Sequence, residues 1–263
     1  MGYTISFSDS NGNAGTAVTS GSGSVTIDNT HPTLDPVSIA TAGTGNANDG
    51  DVITLSFTAS EAIQTPTCTF SDSAGGAMDN SGSISVNEGS SNAWTCAITT
   101  HNSDPNGAIT FSIAFSDDAD NAGTTVTDVT DSTSVTIDNT HPTLSTPAIT
   151  VNGDGNANNG DTVTLTFTSS TDVTTAPTCA FTDGGSNAMD AGTSTASGNA
   201  AGWTCTVAVG DSDSDGGMGY SIAFSDANGN AGTAVTSGSG SVTIDNTHPT
   251  MTPVSIAVDN TCL

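Results

Sequence analysis

The chain has 263 residues, of which 27 are acidic and none is lysine or arginine, so its formal net charge at pH 7 is −27. Such a surface repels phosphate backbones and anionic lipid headgroups, which excludes nucleic-acid binding. Membrane insertion of this segment is excluded because no apolar run is long enough to span a bilayer, and with 33% hydrophobic and 5% aromatic residues each domain core must be small.

A ten-residue string marks the organisation of the chain. SVTIDNTHPT begins at Ser24 and recurs from Ser134 and Ser241, so that its aspartates are 110 and then 107 residues apart. These periods are the size of a domain. The segment 2–33 also reappears almost unchanged as 219–250, which indicates a window on a longer periodic chain. We therefore predict the C-terminal part of a domain at 1–32, two complete domains at 33–142 and 143–249, and the first strand of a further domain at 250–263.

Short segments of alternating apolar and polar residues predict half-buried strands in each complete domain. The first domain has DVITLSFTAS from Asp51 and AITFSIAFSD from Ala108, and the second has DTVTLTFTSS from Asp161 and GYSIAFSD from Gly219. Clusters of Gly, Asn, Asp and Ser between them predict turns, and no stretch has a helical period. Seven or so strands per domain predict an all-β fold of tandem immunoglobulin-like β-sandwich domains. The short proline-containing linkers predict that these domains lie end to end as a rod.

Four of the five cysteines occupy matching positions in the two complete domains. Cys68 precedes Cys96 by 28 residues, and Cys179 precedes Cys205 by 26. Neither pair has the spacing or the histidine partners of a metal site, so we predict one disulfide in each domain, which implies an oxidising compartment. Cys262 is left without a partner in this chain.

The sequence resembles the bacterial immunoglobulin-like repeats of giant surface adhesins and related secreted proteins. The resemblance is carried by the strands GDVITLSFT and GDTVTLTFT, the WTC strands at Trp94 and Trp203, the FSDxxxNAGT turns at 115–124 and 224–233, and the closing VTIDNT. It implies an extracellular or cell-surface location, a role in extension, adhesion or a matrix, and calcium at domain junctions. We expect both tryptophans to lie in the cores, near the disulfides.

Aspartates cluster in the loops that a sandwich of this kind brings to one pole, beside the linker. Without any lysine or arginine these carboxylates repel one another unless a cation lies among them, and carboxylate oxygens are ligands that Ca²⁺ prefers. We predict that Ca²⁺ binds where one domain meets the next and that this binding stiffens the rod, with a poorer site in the first domain. The predicted ligands in the second complete domain are Asp154, Asp161, Asp211, Asp213, Asp215 and Asp245, and those in the first are Asp49, Asp51, Asp104 and Asp138.

The run Asp211–Asp213–Asp215–Gly216 matches the start of a helical calcium hand, but Ile222 stands where that motif needs glutamate. A calcium hand is thereby excluded, whereas a solvated acidic turn remains the alternative to a calcium loop.

Three of the four histidines, His31, His141 and His248, share one linker position. A residue repeated once per domain indicates structure rather than catalysis, so we predict that the chain is not an enzyme.

The leading functional hypothesis is a structural repeat region of a long extracellular surface, stalk or filament protein, acting as a calcium-stiffened spacer. Its expected partners are other copies of the same repeat or protein in a filament or surface layer. The alternatives are an adhesive module that binds a glycan or a host surface, and spacer domains of a secreted hydrolase. Repetition with little variation favours the spacer, because it supplies length without new chemistry.

Overall fold

The computed structural model describes residues 2–23, 25–42, 45–78, 84–153, 155–170 and 172–257. This part of the chain is all-β. It contains no helix, and therefore no helix long and apolar enough to cross a membrane. The chain divides into two compact units, Met1–Asp138 and Asn139–Leu263. Each unit contains one β-sandwich, which confirms the predicted fold class of tandem immunoglobulin-like domains.

The sandwich of the first unit consists of a four-stranded antiparallel sheet that faces a smaller one. In the larger sheet the strand order is β1-β3-β6-β5, and β4 pairs with β8 on the opposite side. The short strands β2 and β7 flank β9, with β2 and β9 parallel. The strands are β1 (Leu34–Thr41), β2 (Asn46–Ala47), β3 (Val52–Ala59), β4 (Thr67–Ser71), β5 (Ser85–Glu88), β6 (Ala93–Thr99), β7 (Gly107–Ala108), β8 (Thr110–Ala114) and β9 (Thr136–Ile137).

The second unit repeats this plan with one strand more. Its sheets have the orders β10-β12-β16-β15, β14-β13-β18 and β11-β19-β17, with β11 and β19 parallel. The strands are β10 (Leu144–Val151), β11 (Asn156–Ala157), β12 (Thr162–Ser169), β13 (Thr178–Thr182), β14 (Ala188–Thr195), β15 (Ser197–Asn199), β16 (Gly202–Ala208), β17 (Gly216–Gly217), β18 (Gly219–Ala223) and β19 (Thr243–Ile244).

The apolar alternation of the central strands places one face of each sheet in the core. In β3 the side chains of Ile53, Leu55 and Phe57 are buried, while the threonines and serines between them face outward. Phe57 lies opposite Trp94 of β6 in the antiparallel register. Trp94 and its counterpart Trp203 are 5% and 4% exposed, which confirms that both are core residues.

Both predicted disulfides are formed, Cys68–Cys96 and Cys179–Cys205. Each joins a strand of the smaller sheet, β4 or β13, to a strand of the larger sheet, β6 or β16. The bridges therefore cross the core from one sheet to the other. In a core with few aromatic residues, such a link supplies stability that apolar packing alone does not.

The two terminal segments lack a covering sheet. Residues 3–18 form an irregular hairpin in which Ile5 pairs with Val18 and Ser8 with Ala14. Their side chains are largely exposed, and so are those of Met251, Val254 and Ile256 near the other end. By contrast, the counterparts of Ile5 within the two sandwiches, Ile113 and Ile222, are fully buried.

Removing the second disulfide tests how much it contributes to its sandwich. In a chain carrying Cys179→Ser and Cys205→Ser, the free energy of unfolding of the second unit should fall by about 3–4 kcal/mol, because the unfolded loop is no longer closed. A Trp94→Phe background leaves Trp203 as the reporter in a urea titration followed by fluorescence. The mirror variant, C68S/C96S, is the control, since it should leave this transition unchanged. A change below about 1 kcal/mol, the usual effect of a single substitution, would contradict the expected contribution.

Candidate functional site

An aspartate in the FSDxxxNAGT turn organises the loop that follows β8. The backbone N–H groups of Ala119 and Asn121 donate to Oδ1 of Asp117 at 2.9 and 2.8 Å, and Nδ2 of Asn121 donates to Oδ2 at 2.8 Å. The Asn121 amide is the main reason why the pKa of Asp117 lies below its usual range. The same set of donors surrounds the aspartate in the other copies of the turn, Asp9 with Asn13 and Asp226 with Asn230.

Asp117 also belongs to a group of three carboxylates. One oxygen each from Asp28, Glu61 and Asp117 lies within 4.8 Å of the others, the only such group of metal-ligand side chains among the described residues. Asp117 is buried, Glu61 is half-buried and Asp28 is exposed. Nδ2 of Asn121 donates to the backbone oxygen of Asp28 at 3.2 Å, which holds the linker against the turn. Three carboxylates at this spacing suit Ca²⁺, but Asp117 already accepts three hydrogen bonds, so Asp28 and Glu61 offer the freer oxygens.

The predicted ligands of the first unit lie in loops that meet at one end of its sandwich. Hydrogen bonds tie the loop at 48–51 to the loop at 100–106, and Asp138 donates its backbone N–H to Ala47 O at 2.9 Å. Each of the four aspartates accepts a hydrogen bond within this cluster, at distances of 2.8 to 3.2 Å. The donors are Asn102 N for Asp49, Asn48 N for Asp51, His101 N for Asp104 and Asn106 Nδ2 for Asp138.

In the second unit, two of the predicted ligands have both carboxylate oxygens engaged. Asp213 is 4% exposed and accepts from Gly210 N at 2.7 Å and Asp190 N at 3.1 Å. Asp215 accepts from Asn246 N and from the Thr247 hydroxyl, and the latter contributes most to lowering its pKa. These two aspartates hold the loops in place, which leaves them fewer lone pairs for a metal ion.

Two other predicted ligands of the second unit, Asp211 and Asp245, are exposed. Asp211 and Asp245 line a cavity of about 340 Å³ together with Asn246. The side-chain oxygen Oδ1 of Asn246 is buried without a hydrogen-bond partner, and an amide oxygen is a suitable third donor for Ca²⁺. Asp161 accepts from Asn158 N at 2.9 Å, whereas Asp154 lies outside the described residues. None of the ten predicted ligands belongs to the group formed by Asp28, Glu61 and Asp117.

Three of the four histidines contact loop atoms. Nδ1 of His31 lies 2.8 Å from Ala122 O, and Nδ1 of His141 lies 2.9 Å from Ala231 O. Nδ1 of His101 lies 2.6 Å from the Ser103 hydroxyl, but Asp104 accepts from the backbone of His101. These contacts lie within the turn at 101–104, in which the backbone N–H of Asp104 also donates to His101 O at 2.9 Å.

A groove lies beside the linker at equivalent places in both units. It encloses about 590 Å³ between His31 and Phe115 in the first unit, and about 400 Å³ between His141 and Phe224 in the second. Its lining is apolar with threonine hydroxyls and carries no carboxylate in either unit. Recurrence at the same position shows that the groove is a property of the repeat.

Comparison with known proteins finds matches among solved structures only. No protein-family model matches the chain, and no curated protein sequence matches it. Among solved structures, a chimeric titin Z1Z2 tandem is 14% identical, with a TM-score of 0.25 and coverage of 82% of this chain and 100% of that one. The N-terminal eight Ig domains of Down Syndrome Cell Adhesion Molecule are 13% identical, with a TM-score of 0.31 and coverage of 82% and 25%. Bovine butyrophilin is 12% identical, with a TM-score of 0.27 and coverage of 78% and 100%.

A carboxylate that the loops depend on should make the second unit sensitive to acid. Asp183 accepts from Ser214 N at 2.9 Å and from Asn187 N at 2.8 Å, and these bonds lower its pKa from 3.8 to about 2. A lowered pKa stabilises the fold fully above pH 3.8, and this contribution is lost as the pH falls towards 2. Asp183→Asn should therefore lower the melting temperature of the second unit near neutral pH, and the difference from wild type should vanish near pH 2.

The control for this experiment is Asp118→Asn, which removes an exposed carboxylate of the first unit. Melting is followed by Trp203 fluorescence in a Trp94→Phe background, across a series of buffers of equal ionic strength. A difference between D183N and wild type that stays constant down to the lowest pH would show that the ionised carboxylate is not what the loops require.

Proposed function

We propose that this chain is the structural repeat region of a long extracellular surface, stalk or filament protein, and that it acts as a calcium-stiffened spacer. The observation that carries the proposal is that each unit contains the same disulfide-bridged sandwich and the same linker contact. Repetition of a complete domain provides length and stability without requiring a ligand.

The linker contact is the part most relevant to a spacer. In both units a His-Pro-Thr segment precedes the first strand, and its histidine lies against the carbonyl of an alanine in the FSDxxxNAGT turn. The prolines of the two segments, Pro32 and Pro142, are buried. Each linker is thus fixed to the sandwich that follows it, which supports limited freedom between successive domains.

An extracellular location accounts for both the disulfides and the charge. Disulfides persist in oxidising compartments and are rare where thiols are kept reduced. A chain without lysine or arginine also offers no cleavage site to trypsin-like proteases. Its carboxylates need screening by salt or bound cations, which an extracellular medium supplies.

Calcium is proposed as the structural ion of this spacer. Asp28, Glu61 and Asp117 would hold it where the linker meets the first sandwich, and Asp211 and Asp245 are the accessible carboxylates in the second unit. Bound Ca²⁺ would neutralise carboxylates that have no cationic side chain to pair with. The ion would have no catalytic role, in keeping with the turn geometry around the histidines. The partners of the chain would be further copies of the same repeat.

A calcium titration of single-glutamate variants tests whether Ca²⁺ stabilises the first unit. The chain has two glutamates, Glu61 in the carboxylate group and Glu88, which is exposed on β5. With the weak affinity common in extracellular modules, Ca²⁺ at about 100 times its Kd should raise the free energy of unfolding of the first unit by about 2.7 kcal/mol. Glu61→Gln should remove most of this increase, whereas Glu88→Gln should retain it. Trp94 fluorescence in a Trp203→Phe background reports on the unit.

The same samples distinguish stiffening from simple screening. Calorimetry should show a saturable heat of binding with Ca²⁺ that is absent with Na⁺ at equal ionic strength. X-ray scattering of the full chain should change when Ca²⁺ is added but not when Na⁺ is added. A further variant, Asp211→Asn with Asp245→Asn, asks whether the second unit has its own site. If melting and scattering are identical with and without Ca²⁺ at constant ionic strength, calcium has no structural role and only a metal-independent spacer remains.

A further inference from the structure

Five asparagines of this chain are followed directly by glycine. Asparagine is a thermolabile residue, and a glycine after it leaves the next backbone nitrogen open to the side-chain amide, because glycine has no Cβ. The five steps have the same chemistry, so the fold decides which of them reacts. They are Asn11–Gly12, Asn106–Gly107, Asn152–Gly153, Asn159–Gly160 and Asn228–Gly229.

Three of these glycines donate their backbone N–H to a backbone oxygen. The bonds are Gly12 N to Asp9 O at 3.1 Å, Gly160 N to Val209 O at 2.9 Å and Gly229 N to Asp226 O at 3.4 Å. A nitrogen engaged in this way points its N–H at the acceptor. It attacks the asparagine side chain only after that hydrogen bond has broken, which slows the reaction.

A fourth glycine, Gly107, is held by strand pairing. It lies in β7 opposite Ile137 of β9. Thr136 and Asp138, on either side of Ile137, donate their backbone N–H groups to the segment at 45–47, so the backbone groups of Ile137 face Gly107. The side-chain amide of Asn106 is held as well, because its Nδ2 donates to Oδ1 of Asp138 at 3.2 Å.

The fifth glycine, Gly153, differs from the other four. Its N–H has no hydrogen-bond partner among the described residues, and neither has the side-chain amide of Asn152. Asn152 is exposed, and no atom of the described residues beyond its chain neighbours lies within 4 Å of the Cβ position of Gly153. The bend is therefore open to water. Ala42 occupies the position of Asn152 in the first unit, which makes this step particular to the second unit.

We propose that the fold selects Asn152 as the site of spontaneous deamidation in this protein. The Gly153 nitrogen attacks Cγ of Asn152, the Cγ–Nδ2 bond breaks, and Nδ2 leaves as ammonia with the proton of the Gly153 nitrogen. Water then opens the succinimide ring at either carbonyl, which gives aspartate or isoaspartate. The reaction needs only water. It goes beyond the proposed function and depends neither on calcium nor on the spacer role.

Each event adds one negative charge to a chain that has 27 acidic and no lysine or arginine side chains. In isoaspartate the main chain is also one atom longer. The exposed bend accommodates this atom, because the chain is anchored beyond it, where Gly155 O accepts from Thr243 N at 2.9 Å. Both sandwiches should keep their melting temperatures, so the product accumulates as the folded protein ages.

Timed incubation of the full chain at neutral pH tests the proposal. A protease that cuts before aspartate places the five asparagines in separate peptides, and Asp154 and Asp161 bound the peptide that contains Asn159 but not Asn152. Mass spectrometry then measures the exchange of NH for O in each peptide. In the folded chain Asn152 should convert about ten times faster than each of the other four, because their glycines must first release a hydrogen bond.

The unfolded chain is the control for the role of the fold. In urea with the disulfides reduced, the five rates should become similar, because the hydrogen bonds that distinguish the glycines are lost. In the folded chain Asn152→Gln should remove the early mass change, since glutamine would have to close a larger ring. The matched variant Asn159→Gln should leave it unchanged. Both residues are exposed, so both variants should melt like wild type.

Three outcomes overturn the proposal. The first is no conversion of Asn152 in the folded chain, and the second is conversion of all five asparagines at one rate. The third is an Asn152 rate that stays ahead of the others in urea, which would assign the preference to the neighbouring sequence instead of the fold.

Discussion

The constraint that shapes this protein is a set of 27 carboxylates with no lysine or arginine to pair with. The structure satisfies many of them with backbone N–H groups and asparagine amides. In the turn at Asp117 one carboxylate accepts three such bonds and thereby fixes the path of five residues. The acidic side chains therefore stabilise the loops by accepting hydrogen bonds, whereas the strands contain few charged residues. Aspartate is abundant because a small sandwich contains many loops, and these loops use its carboxylates as hydrogen-bond acceptors.

The fold was largely predictable because its determinants are local or repeated. Alternation in β3 and β12 identified strands and their buried faces, since one face of each sheet must cover the core. The matching positions of Cys68 and Cys96 with Cys179 and Cys205 identified both disulfides, because copies of one fold place equivalent residues alike. Strand β14 was not anticipated. Its sequence, AMDAGTST, contains glycine and aspartate and buries little more than Met189, so it pairs with β13 without an alternating signal.

The candidate site was predicted less well than the fold, because ligand geometry depends on contacts distant in sequence. The acidic run at Asp211, Asp213 and Asp215 resembles a calcium loop. However, the oxygens of Asp213 and Asp215 accept hydrogen bonds from backbone N–H groups and from the Thr247 hydroxyl. The group of Asp28, Glu61 and Asp117 was missed, since its members come from a linker and two separate loops. One signal was available in the sequence: Glu61 is one of only two glutamates in a chain that otherwise uses aspartate.

The parallel pairing of the short strands has a mechanical consequence. In each sandwich a strand near the entry of the chain, β2 or β11, runs parallel to the last strand, β9 or β19. Tension applied through the two ends of such a domain pulls these strands in opposite directions along their length, so the hydrogen bonds between them are sheared together instead of being opened one at a time. The disulfide then limits how far a ruptured domain extends, because the chain between its two cysteines, separated by 28 residues in the first unit and 26 in the second, carries no load.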